Sequence, residues 1–237
     1  MQRLFAALLL LLATNALAGV SYRFDGTSSR GRVIADGKNI RIEFDRGDNL
    51  LFRDSSVAVS TDGGKTLTLL DPATKTFTTL TLDEVLRNAT AGLNVRFTNP
   101  KVTARLLGDG GTLEGYPTRK SSLDAAYDIV VEVMGQQLAT HVSMHTESWR
   151  TDRLPEELTS FVQLKSFHTG IDAVDKLIDA TSSPQLKGFP LKEVTTMRTK
   201  SGDGREATVT SSIEVHDVRR VATTPAQFAV PAGYKRR

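Results

Sequence analysis

The chain has 237 residues, no cysteine and a nearly balanced charge, with 30 Lys and Arg against 27 Asp and Glu for a net +3. Without cysteine there are no disulfides, no thiol catalysis and no thiolate metal sites. The basic residues are scattered apart from Lys235-Arg236-Arg237, so the clustered cationic patch with interleaved aromatics that a nucleic-acid surface needs is missing, and no nucleic acid is expected as a partner.

The first elements are those of an export signal. Arg3 provides a short positive region and Leu4–Ala13 an apolar run too short to cross ~30 Å of hydrocarbon. Ala16-Leu17-Ala18 reads as a small-x-small cleavage site. A signal peptide is expected over 1–18, cleaved after Ala18, with the product periplasmic or secreted. No cysteine follows the apolar run, which argues against a lipid-modified N-terminus. No later run approaches membrane length, so no transmembrane segment is expected after cleavage.

Beyond Gly19, two-residue alternation dominates and predicts strands. Asn39–Phe44 places Ile40, Ile42 and Phe44 on one face. Ser56–Ser60, Leu67–Leu70 and Phe77–Leu80 follow. Ala125–Met134 carries Ile129, Val131 and Val133 on one side, Leu138–Ser148 alternates through Val142 and Met144, and Glu206–Val215 continues the pattern. Turns are expected at Asp36-Gly37, Asp62-Gly63-Gly64, Asp71-Pro72, Asp109-Gly110-Gly111, Gly135-Gln136 and Gly202-Asp203-Gly204. This spacing predicts an antiparallel meander of roughly ten strands.

Helical spacing occurs three times. Thr81 and Glu84 form a capping box for a helix over 82–91. Pro155 opens a helix over 156–165, with Leu158, Phe161 and Val162 on one stripe. A third helix over 170–180 presents Ile171, Val174, Leu177 and Ile178. The last two are inserted as a pair between the strand ending near Trp149 and the one starting near Gly188. The fold class is therefore mainly β (α+β), in a single domain over 19–237.

Catalytic chemistry finds little support. Gly64-Lys65-Thr66 lacks the earlier glycine of a phosphate loop, since position 59 is Val, and it sits in a hairpin turn. No G-x-S-x-G elbow occurs. His141 and His145 are four apart on a strand, about 13 Å between their Cα atoms, too far to share one metal ion. His168 and His216 have no evident partner. Glu156-Glu157 suits a helix N-terminus without any catalytic role. Asn88-Ala89-Thr90 has the glycosylation pattern but falls in an expected helix. Trp149 reads as core or rim packing. No catalytic residue, metal site or cofactor is expected.

Several short motifs occur in a recognisable order: Gly37-Lys38-Asn39-Ile40-Arg41, the Asp71-Pro72…Lys75…Phe77 turn, Gly115-Tyr116-Pro117, Trp149 with Asp152 and Pro155, Gly188-Phe189-Pro190-Leu191, and Phe228-Ala229-Val230-Pro231-Ala232-Gly233-Tyr234. Together they resemble an uncharacterised family of bacterial envelope proteins allied to the LolA/LolB-like periplasmic carriers of lipoproteins. Many members have a cysteine just after the central Gly-x-Pro; here Thr118 stands instead.

The resemblance implies a LolA-like half-barrel, a curved antiparallel sheet forming an unclosed barrel with helices packed on its concave side. It implies a non-enzymatic binding protein that carries or senses a lipid or acylated ligand in an apolar cavity between sheet and helices. Val131 and Val133 are the expected ligand-binding residues on the sheet, with Phe161 and Leu177 on the lid side. The expected partner is a lipid or an acylated protein. The alternative is an interaction or regulatory module of the envelope, with a filled core and a protein partner. An enzyme ranks third, since it would need a carboxylate pair assembled from distant segments.

Overall fold

The computed structural model describes residues 18–48, 53–81, 84, 94–133, 136–154, 158 and 172–237. They form one sheet of twelve strands: β1 (Ala18–Gly26), β2 (Ser29–Asp36), β3 (Asn39–Gly47), β4 (Val57–Ser60), β5 (Thr66–Asp71), β6 (Thr76–Thr81), β7 (Asn94–Leu113), β8 (Tyr116–Val133), β9 (Gln136–Thr151), β10 (Phe189–Ser201), β11 (Glu206–Ala222) and β12 (Lys235–Arg236). One helix, α1 (Asp172–Thr181), lies between β9 and β10 and packs against β7 and β8.

The order across the sheet is β12-β6-β5-β4-β3-β2-β1-β11-β10-β9-β8-β7. β1 to β6 form one antiparallel meander and β7 to β11 a second, with longer strands. Antiparallel pairing of β1 with β11 joins them, and only β12 on β6 is parallel. The sheet does not close, because β12 and β7 are its two rims. It curves strongly: β9 and β10 separate β8 from β11, yet Glu114, in the β7–β8 turn, accepts the Asp217 N–H of β11 at 3.0 Å.

Alternation explains which side is apolar. Val20, Tyr22 and Phe24 of β1 face Ala35, Val33 and Gly31 of β2, which face Ile40, Ile42 and Phe44 of β3. These residues (Gly31 apart) form the main core with Ala58, Leu154, Leu158, Phe189, Leu191 and Val215. We call this side the core face. On the opposite face, Val57, Val59 and Leu70 form a second cluster with Phe77, roofed by Val230 and Tyr234 of the C-terminal segment. That segment is tied down along its length. The 3-10 turn Pro225–Phe228 packs on β3, Gln227 O accepts from Arg41 Nη1 (3.2 Å), and Arg237 donates to Thr74 Oγ1 (2.9 Å).

Most expected turns are present. At the β5–β6 turn, Asp71 Oδ1 accepts the N–H groups of Ala73 (3.0 Å) and Thr74 (3.1 Å), and the Thr74 contacts hold the Asp71 carboxyl below its ordinary value. Asp109-Gly110-Gly111 is a correction. These residues lie inside β7, at a break in its register with β8. The reversal comes at Glu114-Gly115, where φ values of 51° and 76° give the two-residue turn that matches strand twist. Glycines spaced like a turn here bend a strand. Twelve strands stand against the roughly ten expected, the last of them only two residues long.

The expected helices fare unequally. The Thr81–Glu84 capping box is present, with Glu84 Oε2 accepting Thr81 N–H (2.7 Å) and Thr81 Oγ1 accepting Glu84 N–H (3.2 Å). The rest of the helix expected over 82–91 lies outside the described residues, as does the one over 156–165 except for buried Leu158. The third is α1, in which Ile178 is buried. Ile171 lies outside the described residues, as do the side chains of Val174 and Leu177.

Phe228 is 4% exposed and anchors the C-terminal segment. Phe228→Ala should cost about 3–5 kcal/mol. A urea titration checks this, the midpoint falling while the slope stays constant.

Candidate functional site

A cavity of about 230 Å³ opens on the core face, where β1, β2 and β3 meet β10 and β11. Its walls are Tyr22 and Phe24 of β1, Val33 of β2, Ile42 and Phe44 of β3, Phe189 and Pro190 of β10, and Ile213 and Val215 of β11. Ser29 and Glu193 are the polar members of the lining.

One missing side chain shapes this wall. Gly31 stands directly between Phe24 and Phe44 across β1, β2 and β3. A Cβ there would lie 2.1 Å from Glu43 O and 3.0 Å from Phe24 Cζ. With only hydrogen at that position, the rings of Phe24 and Phe44 meet edge-on above it, with centroids 5.9 Å apart and planes at 78°. Tyr22 and Phe189 meet similarly at 5.2 Å and 69°, linking β1 to β10. Burial holds the Tyr22 phenol far above its ordinary pKa, so it stays neutral.

Beside the cavity lies an ion pair between a buried arginine and a partly exposed glutamate. Arg150 Nη2 donates to Glu193 Oε1 at 2.7 Å, and Ser148 Oγ donates to the same oxygen at 2.7 Å. Arg150 Nη1 donates to the carbonyls of Leu186 (3.0 Å) and Gly188 (3.1 Å). Gly188 has φ +99°, and a Cβ there would lie 2.8 Å from Thr151 O, so glycine is needed to present that carbonyl. Burial pulls the Arg150 guanidinium below its ordinary pKa, opposed by the attraction of Glu193. Among the described residues, two buried side-chain polar atoms have no partner, Arg150 Nε and Ser121 Oγ. Ser121 faces Ser148 across β8 and β9.

Beyond the cavity, the core face of β10 and β11 is mixed. Ile213 lines the cavity and is 38% exposed; the polar pair Thr195 and Ser211 separates it from Val209 and Met197, paired across the two strands and 55% and 37% exposed.

Of the residues expected to bind ligand, Val131 alone has a described side chain: it is half-buried on β8, between Val95 and Leu138, and does not line this cavity. Val133 ends β8 and Leu177 lies in α1, both with side chains outside the described residues, and Phe161 lies outside them altogether. The cavity wall draws on aromatic residues from the first three strands, where Tyr22-x-Phe24 and Ile42-x-Phe44 were the available signal.

His141, His145 and His216 lie on the face opposite the core, and His168 lies outside the described residues. His141 Nδ1 is 2.6 Å from Asp128 Oδ1, and His145 Nδ1 is 2.6 Å from Asp124 Oδ1. Among the described residues no group of three or more metal-ligating side chains occurs. A shallow groove of about 530 Å³ passes His145 between Lys101 and Arg198. Trp149 stands on this face too, with Lys120 Nζ 4.7 Å and Lys192 Nζ 5.7 Å from its ring centroid. Glu147 and Glu214 hold those lysines at 2.7 Å and 2.6 Å, so the lone tryptophan is packed by a charged lattice. Thr118, standing where relatives of the suggested family often have cysteine, donates to Gly111 O at 2.9 Å.

The sequence matches no protein-family model and no curated protein.

Removing one partner of a largely buried pair leaves an uncompensated charge. Arg150→Ala should therefore destabilise by about 3–5 kcal/mol in urea unfolding. Asp128 gives a pH test. The Asn99 amide (2.8 Å) and then His141 hold its carboxyl below the ordinary value. Such a group adds stability above the unfolded pKa of about 4 and loses it as pH falls through the lower folded value. Below about pH 4, the urea midpoint of Asp128→Asn should fall less steeply than that of the wild type. Parallel curves would overturn the assignment.

Proposed function

We propose that this chain is a non-enzymatic binding protein of the bacterial envelope, exported after cleavage at Ala18, that carries or senses a lipid or acylated ligand. The observation that carries the reading is the carbon-walled cavity on the core face, with the partly exposed Ile213 in its lining. A concave apolar wall with few polar groups is the kind of surface that an apolar ligand fills. The ordered motifs that resemble the envelope family allied to lipoprotein carriers support the same reading. So does the mainly β, unclosed and curved sheet, the coarse form of that half-barrel. In the full reading, helices cover the concave side and the ligand lies between them and the sheet. A chain beginning at Gly19 keeps the β1–β11 pairs from Gly19↔Val221 to Gly26↔Ile213.

Energetics are compatible with a modest chain. Each methylene taken from water contributes about 0.8 kcal/mol, so some eight methylenes supply roughly 6 kcal/mol, in the micromolar-to-millimolar range.

The second reading, an interaction module, has its own observation. The cavity is smaller than the ~300–1,000 Å³ typical of small-molecule sites, and Leu106, Leu107 and Leu138 are about half exposed elsewhere on the sheet.

Binding of the neutral fluorescent probe N-phenyl-1-naphthylamine separates the two. The wild type should bind it at micromolar concentration, and protein from its native envelope should retain lipid on native mass spectrometry. Ile213→Glu places a charge at the mouth of the cavity on a residue already partly exposed, so the fold persists while probe affinity drops at least about tenfold. Val131→Glu, outside the cavity wall, should leave the affinity within about twofold. Absence of both retained lipid and probe binding transfers the case to the interaction module.

A further inference from the structure

The cavity wall is apolar except for Ser29 and one carboxylate, Glu193. Its Oε1 is saturated, accepting from Arg150 Nη2 and Ser148 Oγ, both at 2.7 Å. Its Oε2 accepts from no protein donor among the described residues. Behind it lie two further unspent polar atoms, Arg150 Nε and Ser121 Oγ. Both residues are more than nine-tenths buried, at 7% and 1% exposure. The Glu193 side chain is 22% exposed, so Oε2 is left open to a donor at the edge of the hydrocarbon wall. For packing alone, an apolar residue at 193 would serve the wall better.

We propose that Glu193, positioned by Arg150 and Ser148, is a headgroup subsite that selects an apolar chain ending in an uncharged hydrogen-bond donor, such as a hydroxyl or an amide N–H, over a free fatty-acid carboxylate. This rests on the carrier reading and adds to it what the carrier accepts. Arg150 compensates the Glu193 charge, so the net charge of the head decides little and its donor capacity decides more. An ionised carboxylate head has only lone pairs to set against the lone pairs of Oε2 and leaves both unsatisfied. A neutral donor satisfies Oε2 without adding charge. Ile213 faces Glu193 directly across β10 and β11, so chain and head are recognised side by side.

The test uses four ligands of one chain length: 1-decanol, decanamide, decyl methyl ether and decanoate. Each competes with N-phenyl-1-naphthylamine near pH 8, where a carboxylic acid is ionised. The ether is as uncharged as the alcohol but has no donor, so it isolates the hydrogen bond from desolvation. The wild type should bind decanol and decanamide about tenfold or more tighter than the ether, as a bond to a charged acceptor provides. Decanoate should bind most weakly. In Glu193→Gln, the advantage over the ether should shrink to about twofold, and decanoate should gain because Arg150 is no longer compensated. Equal binding of ether and decanol by the wild type overturns the subsite while leaving the carrier intact. If none of the four displaces the probe, the carrier reading falls and the subsite with it. The wild-type comparison decides even where the variant does not fold.

Discussion

The pairing of β1 with β11 is the constraint on which everything else rests. Each meander is a local structure, built from neighbours in sequence. What turns two meanders into one curved sheet is a seam between strands nearly the whole chain apart, from Ala18↔Ala222 to Gly26↔Ile213. The core is assembled on that seam: Val20, Tyr22 and Phe24 on one side, Val215, Phe189 and Leu191 on the other. The cavity straddles the same line, so binding surface and topology share residues. A seam closed only when both ends of the chain are present also implies slow folding, because long-range pairing pays loop entropy before contacts repay it.

Around this seam the molecule balances a filled core against an incomplete one. Gly31 is the hinge of that balance. Its missing side chain lets Phe24 and Phe44 turn edge-on, which fills the space above the strand and shapes the wall beside it. Next to the rings, the Arg150–Glu193 pair is held by carbonyls that only the backbone at Gly188 can supply. Largely buried pairs of this kind are weak sources of stability, since desolvation offsets attraction. Here its value lies in fixing one carboxylate at the edge of hydrocarbon.

Much of the fold was legible in the sequence, and the site was not. Alternation located β3, β4, β5, β6, β8, β9 and β11, and the Asp71 turn and Thr81–Glu84 cap formed as their chemistry dictates. Alternation reports a strand's own two faces but not its partner, so the adjacency of β1 and β11 was invisible. For that reason Val131, on the most regular strand, was chosen as a wall residue, while the wall formed where distant strands converge. β7 and β10 escaped notice because bulges and polar stretches break their period, as at Pro190/Lys192 in β10. Asp109-Gly110-Gly111 misled in the same way, since glycine marks both turns and bulges.

An open sheet has two rims, and each is a template on which another chain can grow. At one rim β12 covers the start of β6, at Thr76 and Phe77. The other is β7, twenty residues long and carrying Leu106 and Leu107 about half exposed. Its register breaks between Thr98 and Lys101, between Leu106 and Gly108, and between Asp109 and Gly111. Left-handed backbone at Asn99, Gly108 and Gly111 turns the strand at those breaks. An incoming strand therefore never meets more than a short unbroken stretch before its pairing fails. The irregularities that break the period of β7 in the sequence thus also shorten the edge on which another strand could pair.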